Sequence, residues 1–137
     1  MREILFRGKR IANDEWVEGY LYITRDGECE IGHYNPKAKI ERWTGVVDPE
    51  TVGQYTGLKD KNGKRIFEGD VVKVEYTGTN SGLDGIGEVL FENCKFALLW
   101  GHKKEVVCLT HFCNVRFEVI GNIYENSELL EKEKKDA

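Results

Sequence analysis

Apolar and polar positions alternate with a period of two along most of this chain, in short runs cut by glycine or by Asn/Asp pairs. The runs predict strands at Glu3–Arg7, Trp16–Thr24, Glu28–Tyr34, Ile40–Thr44, Asp70–Thr77, Ile86–Glu92, Lys95–Trp100, Glu105–Thr110 and Val115–Tyr124. Between them stand turn signals such as Asn13-Asp14, Asp26-Gly27 and Asn62-Gly63. So many strands in 137 residues predict a mainly β fold. Two short helical pieces interrupt it. In "DPETVGQ", Asp48 can cap backbone amides, Pro49 suits the first helical position and Gly53 stops the turn. In "NSELLEKEKKDA", Asn126 or Ser127 serves as cap, acids come early and lysines late, and Leu129 with Leu130 would pin the helix to the body.

The turn near Pro49–Gln54 suggests a division into an N-terminal β subdomain (1–52), a small β-barrel subdomain (53–125), and a C-terminal helix with a charged tail (126–137). No Gly/Ser/Pro-rich linker marks the join, so the two β subdomains are expected to pack together. The barrel expectation rests on the stretch Leu58–Val74, "LKDKNGKRIFEGDVVKV". Asn62-Gly63 supplies residues that tolerate positive φ, Gly69 gives a sharp entry, and Asp70 can bond nearby amides before a β-branched strand. With the hairpin "GEVLFENCKFALLW" and the closing strand "VRFEVIGNIYEN", the pattern is that of an SH3-like or KOW-like barrel.

Two places carry candidate binding residues. The corner Lys59–Arg65 sets Lys59, Lys61, Lys64 and Arg65 against the single acid Asp60. A solvated turn accounts for it; phosphate or an acidic partner is the functional alternative, resting on Lys61, Lys64 and Arg65. On the second strand, Trp16, Tyr20 and Tyr22 fall on one face, and Val17, Leu21 and Ile23 on the other. A strand apolar on both faces is sandwiched or belongs to an interface. Core comes first as the reading, because aromatics dominate cores. The functional alternative is a surface for a partner or for stacked bases, with Trp16 and Tyr20 as its binding residues. Trp43 and Trp100 raise the same question.

Composition narrows the field. A net charge of −4 weighs against a general nucleic-acid binder, which would be distinctly basic. The longest clear apolar run, "FALLW" at Phe96–Trp100, is far short of a membrane helix, and "MREILFRGKR" has no secretion-signal core. The expected compartment is therefore the cytoplasm, with four reduced cysteines and no membrane contact. The sharpest metal candidate is "CLTHFC", with Cys108, His111 and Cys113 after Cys94 and His102. On a strand, however, Cys108 points away from His111 and Cys113, and paired C-x-x-C knuckles are missing. Buried thiols are the better account, so no metal or cofactor is expected. The only serines, Ser81 and Ser127, sit outside any nucleophile motif. The glycine-rich loop Gly78–Gly87 lacks G-K-[ST] and precedes a strand, which reads as a mobile connection. No paired acids stand out, and no catalytic residues are expected.

"PETVGQYTGLKDKNGKRIFEGDVV" and "FEVIGNIYENSELL", with the opening "FRGKR…EWVEGYLY", resemble the YopX family of phage and prophage proteins over nearly the whole chain. One departure is Ser127, where the family pattern has proline; both residues open helices. The resemblance implies a phage-encoded protein of a bacterial cytoplasm with no established activity to carry over. The expected function is that of an accessory protein acting through protein–protein contact or self-association, not an enzyme. Its partners would be itself or a host or phage protein. A nucleic-acid-binding barrel is the alternative.

Overall fold

The computed structural model describes residues 2–35, 37, 40–76, 85–100, 105–108 and 115–135. These residues form strands β1 (Phe6–Lys9), β2 (Trp16–Ile23), β3 (Cys29–Asn35), β4 (Ile40–Val47), β5 (Gly53–Lys59), β6 (Arg65–Phe67), β7 (Asp70–Tyr76), β8 (Gly85–Glu92), β9 (Lys95–Trp100), β10 (Glu105–Cys108) and β11 (Val115–Asn122). A 3-10 turn spans Pro49–Thr51, and helix α1 spans Glu128–Lys135. The fold is mainly β, as the alternation predicts. One sheet has the order β4-β3-β2-β1-β5-β6 and the other β10-β9-β8-β7-β11. The chain divides into two compact units, Met1–Gly57 and Leu58–Ala137.

The first unit is a meander that turns back on itself. Phe6 pairs with Gly19 between β1 and β2, and Leu21 pairs with Ile31 between β2 and β3. The end of β1 then meets the end of β4: Arg10 bridges Val47, Ile11 N–H donates to Val46 O at 3.1 Å, and Asp48 N–H donates to Lys9 O at 2.8 Å. The enclosed core is small. Cys29, Ile31 and Val47 are buried, with Phe6, Val17, Leu21 and Val52 packed on them. Gly8 shows how tight it is, since a Cβ there would lie 2.8 Å from Val47 Cγ2. That explains a shifted boundary: the sequence reading ends the first strand at Arg7 because glycine reads as a breaker, yet Gly8 lies inside β1. Glu3–Leu5 lie before β1 instead, and Leu5 O accepts from Tyr55 N–H at 2.8 Å.

The turn after β4 forms as its sequence dictates. Asp48 Oδ1 accepts from Glu50 N–H at 3.1 Å, and Pro49 occupies the first helical position. Gly53 does not merely stop it; it begins β5, a strand the alternation does not announce. "GQYTGLK" carries two glycines, and β6 is only three residues long, too short to show a period. Neither strand is predicted by the alternation.

In the second unit, Val72 and Val74 of β7 are fully buried with Ile66, Val89 and Leu98. Leu58, Phe96, Val115, Phe117 and Val119 pack against them. The entry to β7 is built as expected. Gly69 takes φ 88°, and the buried Asp70 carboxylate accepts from Phe67 N–H at 2.8 Å. Val71 is also buried, so β7 covers apolar groups on both faces near its start. β11 ends at Asn122, earlier than predicted, because Asn122 Oδ1 accepts from Tyr124 and Glu125 N–H, both at 3.0 Å, and turns the chain. Helix α1 follows, with Leu129 and Leu130 half-buried. Asn126 Oδ1 reaches back to Asn122 N–H at 3.2 Å, so this side chain serves the turn before the helix.

Candidate binding face

The register of the first sheet sorts β2 into two faces. Val17 and Leu21 point to the core. Trp16, Tyr20 and Tyr22 share the opposite face by the two-residue period of a strand. Core was the first reading for these aromatics, and for the two tyrosines the structure overturns it. Tyr20 is 54% exposed and Tyr22 is 51% exposed. The cause is local: once Val17, Gly19 and Leu21 fill the inward positions, the even-numbered positions face out. Trp16 differs. It is half-buried, and the Arg7 guanidinium carbon lies 5.0 Å from its ring centroid. A cation over an indole face is electrostatically favourable, and Arg7 is itself buried. Trp16 is thus tied into the sheet surface, while Tyr20 and Tyr22 stand out from it.

Beside Tyr20 opens a cavity of about 430 Å³, lined by residues 2–6 with Tyr20 and Leu21. Ile4, at its wall, is 46% exposed. Tyr22 lies opposite Glu30 of β3, so the far end of the aromatic stripe is acidic. The hairpin turn beyond is held by Thr24 N–H to Glu28 O at 2.8 Å and by Glu28 N–H to Thr24 Oγ1 at 3.1 Å. It exposes Arg25, Asp26 and Glu28.

The lysine-rich corner of the second unit is organised quite differently. Its acid is central. Asp60 is 8% exposed; Oδ1 accepts from Asn62 N–H at 2.9 Å and Lys64 N–H at 2.8 Å, while Oδ2 accepts from Val119 N–H at 3.0 Å. Burial opposes ionisation, but the donated hydrogen bonds and the nearby Lys64 charge outweigh it and hold this carboxyl below its ordinary pKa. Lys61 N–H donates to Phe117 O at 2.9 Å, so β11 is bound to the corner twice. Lys61 Nζ sits 3.3 Å from both Glu118 and Glu75, and Lys73 Nζ lies 3.5 Å from Glu75. The hydrogen bonds that Lys61 donates to Glu118 and then to Glu75 push its pKa up, and Lys61 in turn lowers that of Glu75.

The structure therefore places the five sequence-chosen residues in two separate settings. Trp16 and Tyr20 share one face of β2; Lys61, Lys64 and Arg65 share the corner. Lys61 is already paired, Arg65 is half-buried, and Lys64 is exposed. Tyr22 and Ile4 were not among the chosen residues. The signal for Tyr22 was in the spacing; Ile4 gave none, because its exposure comes from the chain lying outside β1. Of the metal candidates, Cys94 is an exposed thiol at the β8–β9 turn, whereas His102, His111 and Cys113 lie outside the described residues. So does most of the Gly78–Gly87 loop. Among the described residues no three His, Cys, Asp or Glu side chains form a metal-sized group, and no helix is long and apolar enough to cross a membrane.

Comparison with known proteins places this architecture. The chain is similar to the crystal structure of protein yopX from Bacillus subtilis, with TM-score 0.62 and 17% identity, covering 94% of this chain and 98% of that one. It is also similar to protein EF1440 from Enterococcus faecalis, with TM-score 0.56 and 23% identity, covering 95% of this chain and 99% of that one. At these identities the likeness is one of fold. No curated protein matches the chain. The model of the family described as YopX protein matches residues 5–131, nearly the full length and including every strand, and the chain belongs to the YopX family.

Proposed function

We propose that this chain is a phage- or prophage-encoded accessory protein of the bacterial cytoplasm that works by binding protein, through the outer face of β2. One observation carries the reading: Tyr20 and Tyr22 stand half-exposed side by side on a strand whose other face fills the core at Val17 and Leu21 and leaves Ile23 exposed at its end. Tyrosine combines a large apolar ring with a hydrogen-bonding tip, which suits it to interfaces. A rigid strand holding two such rings presents them with little ordering cost. The phage setting is what membership of the YopX family implies. A binding role asks nothing catalytic of the site.

The nucleic-acid alternative leans on the corner, and the geometry there supports it poorly. Of its cations, Lys61 faces two carboxylates of its own chain. A phosphate would have to displace those contacts to gain its own.

Capture from phage-infected host lysate tests the proposal, with wild-type and Tyr20→Thr/Tyr22→Thr protein as baits and half of each sample treated with nuclease. A protein retained by the wild type, lost with the tyrosines and indifferent to nuclease is the expected result. Retention that vanishes with nuclease and falls steeply with salt would replace the proposal with the nucleic-acid reading.

A further inference from the structure

We propose that the partner engages β2 as an added strand: an extended, apolar segment of another protein pairs with the open backbone edge of residues 20–23. This rests on the reading above and states how the partner is held. The register shows where the edge opens. β1 pairs with β2 only as far as Phe6 opposite Gly19, while β3 covers the other edge of β2 from Tyr20 to Ile23. Thr24 N–H donates to Glu28 O, so the even-numbered residues of β2 aim their backbone groups at β3. Arg10 N–H donates to Glu15 O, so the odd-numbered ones aim at β1. Leu21 and Ile23 therefore direct their N–H and C=O groups to the side where the β1 ladder has ended. Continued without a break, that ladder would set Ile4 opposite Leu21 and Arg2 opposite Ile23. Residues 2–5 form no strand, and among the described residues none pairs with Leu21 or Ile23 on that side. The cavity of about 430 Å³, lined by residues 2–6 with Tyr20 and Leu21, opens where the ladder stops.

The surroundings suit a strand better than a flat surface. Backbone groups repeated at a two-residue period are matched by the backbone of an extended chain. Side chains of a strand alternate between its faces. One added strand thus covers Tyr20 and Tyr22 on the outer face and Ile23, 59% exposed, on the inner. A partner laid on the outer face alone would leave Ile23 and the open edge in water. Ile4, Leu5, Phe6 and Leu21 line the cavity, which selects an apolar segment. Of its two charged residues, Glu3 already has an interaction within the chain, so the Arg2 charge favours an acidic residue in the segment.

Amide hydrogen exchange on the full chain tests the edge by itself. The Leu21 and Ile23 amides should exchange at least about tenfold faster than those of Tyr20 and Tyr22, which face β3. Equal protection would mean that the chain closes its own edge, and would overturn the proposal. A displayed library of random peptides about ten residues long then supplies the probe. The expected binders alternate apolar residues and carry an acid, and Arg2→Glu should weaken them roughly tenfold. Bound as synthetic peptides, they should protect the Leu21 and Ile23 amides. N-methylation of one alternate set of peptide amides should weaken binding at least about tenfold, because it removes ladder donors and leaves every side chain in place. Binders that tolerate methylation of both alternate sets would overturn the strand proposal. If those binders still need Tyr20 and Tyr22, the β2 face stands without the ladder; if they do not, both readings fall. A library without binders also overturns the strand proposal, and the lysate capture then decides the β2 face alone.

Discussion

The β2 face and the Asp60 corner look alike in sequence and are opposites in structure. Each is a short stretch dense in one kind of side chain, aromatic in the first and cationic in the second. At the corner the distinctive groups are consumed inside the chain. Asp60 gathers three backbone N–H groups, and Lys61 spans two glutamates. On β2 the core takes only the alternate positions, and Tyr20 and Tyr22 keep about half of their surface in water. A cluster of charge in a turn is explained by the turn's own hydrogen bonds and ion pairs. A pair of rings on the outer face of a strand is not explained by that strand's fold. The excess over structural need, rather than the density of a residue type, marks the binding candidate.

The strongest way to break this contrast is to remove the corner's acid. Asp60→Ala would leave three backbone donors without their charged acceptor and untie the corner from β11. A loss of about 3 kcal/mol or more is expected, since hydrogen bonds to a charged group are individually worth more than neutral ones. Chemical denaturation monitored by circular dichroism measures it; a loss under about 1 kcal/mol would mean the corner is a dispensable surface turn. The pH dependence sharpens the same point. The folded-state pKa of Asp60 lies below its ordinary 3.8. Its contribution is thus fully present above the unfolded-state value and is lost as pH falls through the lower folded-state value. Below about pH 5 wild-type stability should fall more steeply than that of Asp60→Asn, with the two curves converging at low pH.

Trp16 tests the other side. It shares a face with the tyrosines, yet it is half-buried beneath Arg7. Trp16→Ala should cost about 2 kcal/mol in a folded protein, from lost ring burial and the lost cation contact. A thermal melt compared with Trp16→Phe would separate the two contributions. Global unfolding by Trp16→Ala would move this residue into the core and leave the binding face at Tyr20 and Tyr22 as proposed. Lys61→Met should cost less, about 1 kcal/mol at most, because Lys61 and both glutamates are partly solvated. Added salt should shrink that difference; a salt-independent loss would assign the effect to the packing of the lysine stem.

Much of this was legible beforehand. The period-two runs located nine strands, and Asp48-Pro49 and Gly69-Asp70 announced their turns through residue types with one dominant local use. What escaped has physical causes. β5 and β6 form because neighbouring strands offer ladders, which a Gly-rich heptapeptide and a tripeptide do not advertise. The closure of β4 back onto β1 is non-local and leaves no mark in either segment. In the sequence Asp60 is one acid diluting a basic corner; that it binds Val119, 59 residues away, is visible only in the fold. On β2 the alternation was plain, but which face is core depends on what lies above it, and no strand's own sequence states that.

The smallest effect on stability should come from the pair on which the functional reading depends. Tyr20→Thr/Tyr22→Thr removes two rings that are already about half in water. Threonine preserves strand preference, so backbone pairing with β3 should persist. Stability should change by no more than about 0.5 kcal/mol, as expected for surface substitutions away from packed features. Binding should be lost in the same protein, whether read with a selected peptide or as capture of another chain. That combination separates a functional surface from a structural one, because side chains that hold the fold cannot be removed at so little cost. Should the variant instead unfold at a distinctly lower temperature, the tyrosines belong to the architecture of the first unit after all. The contrast between the two regions would then collapse into two versions of the same structural economy.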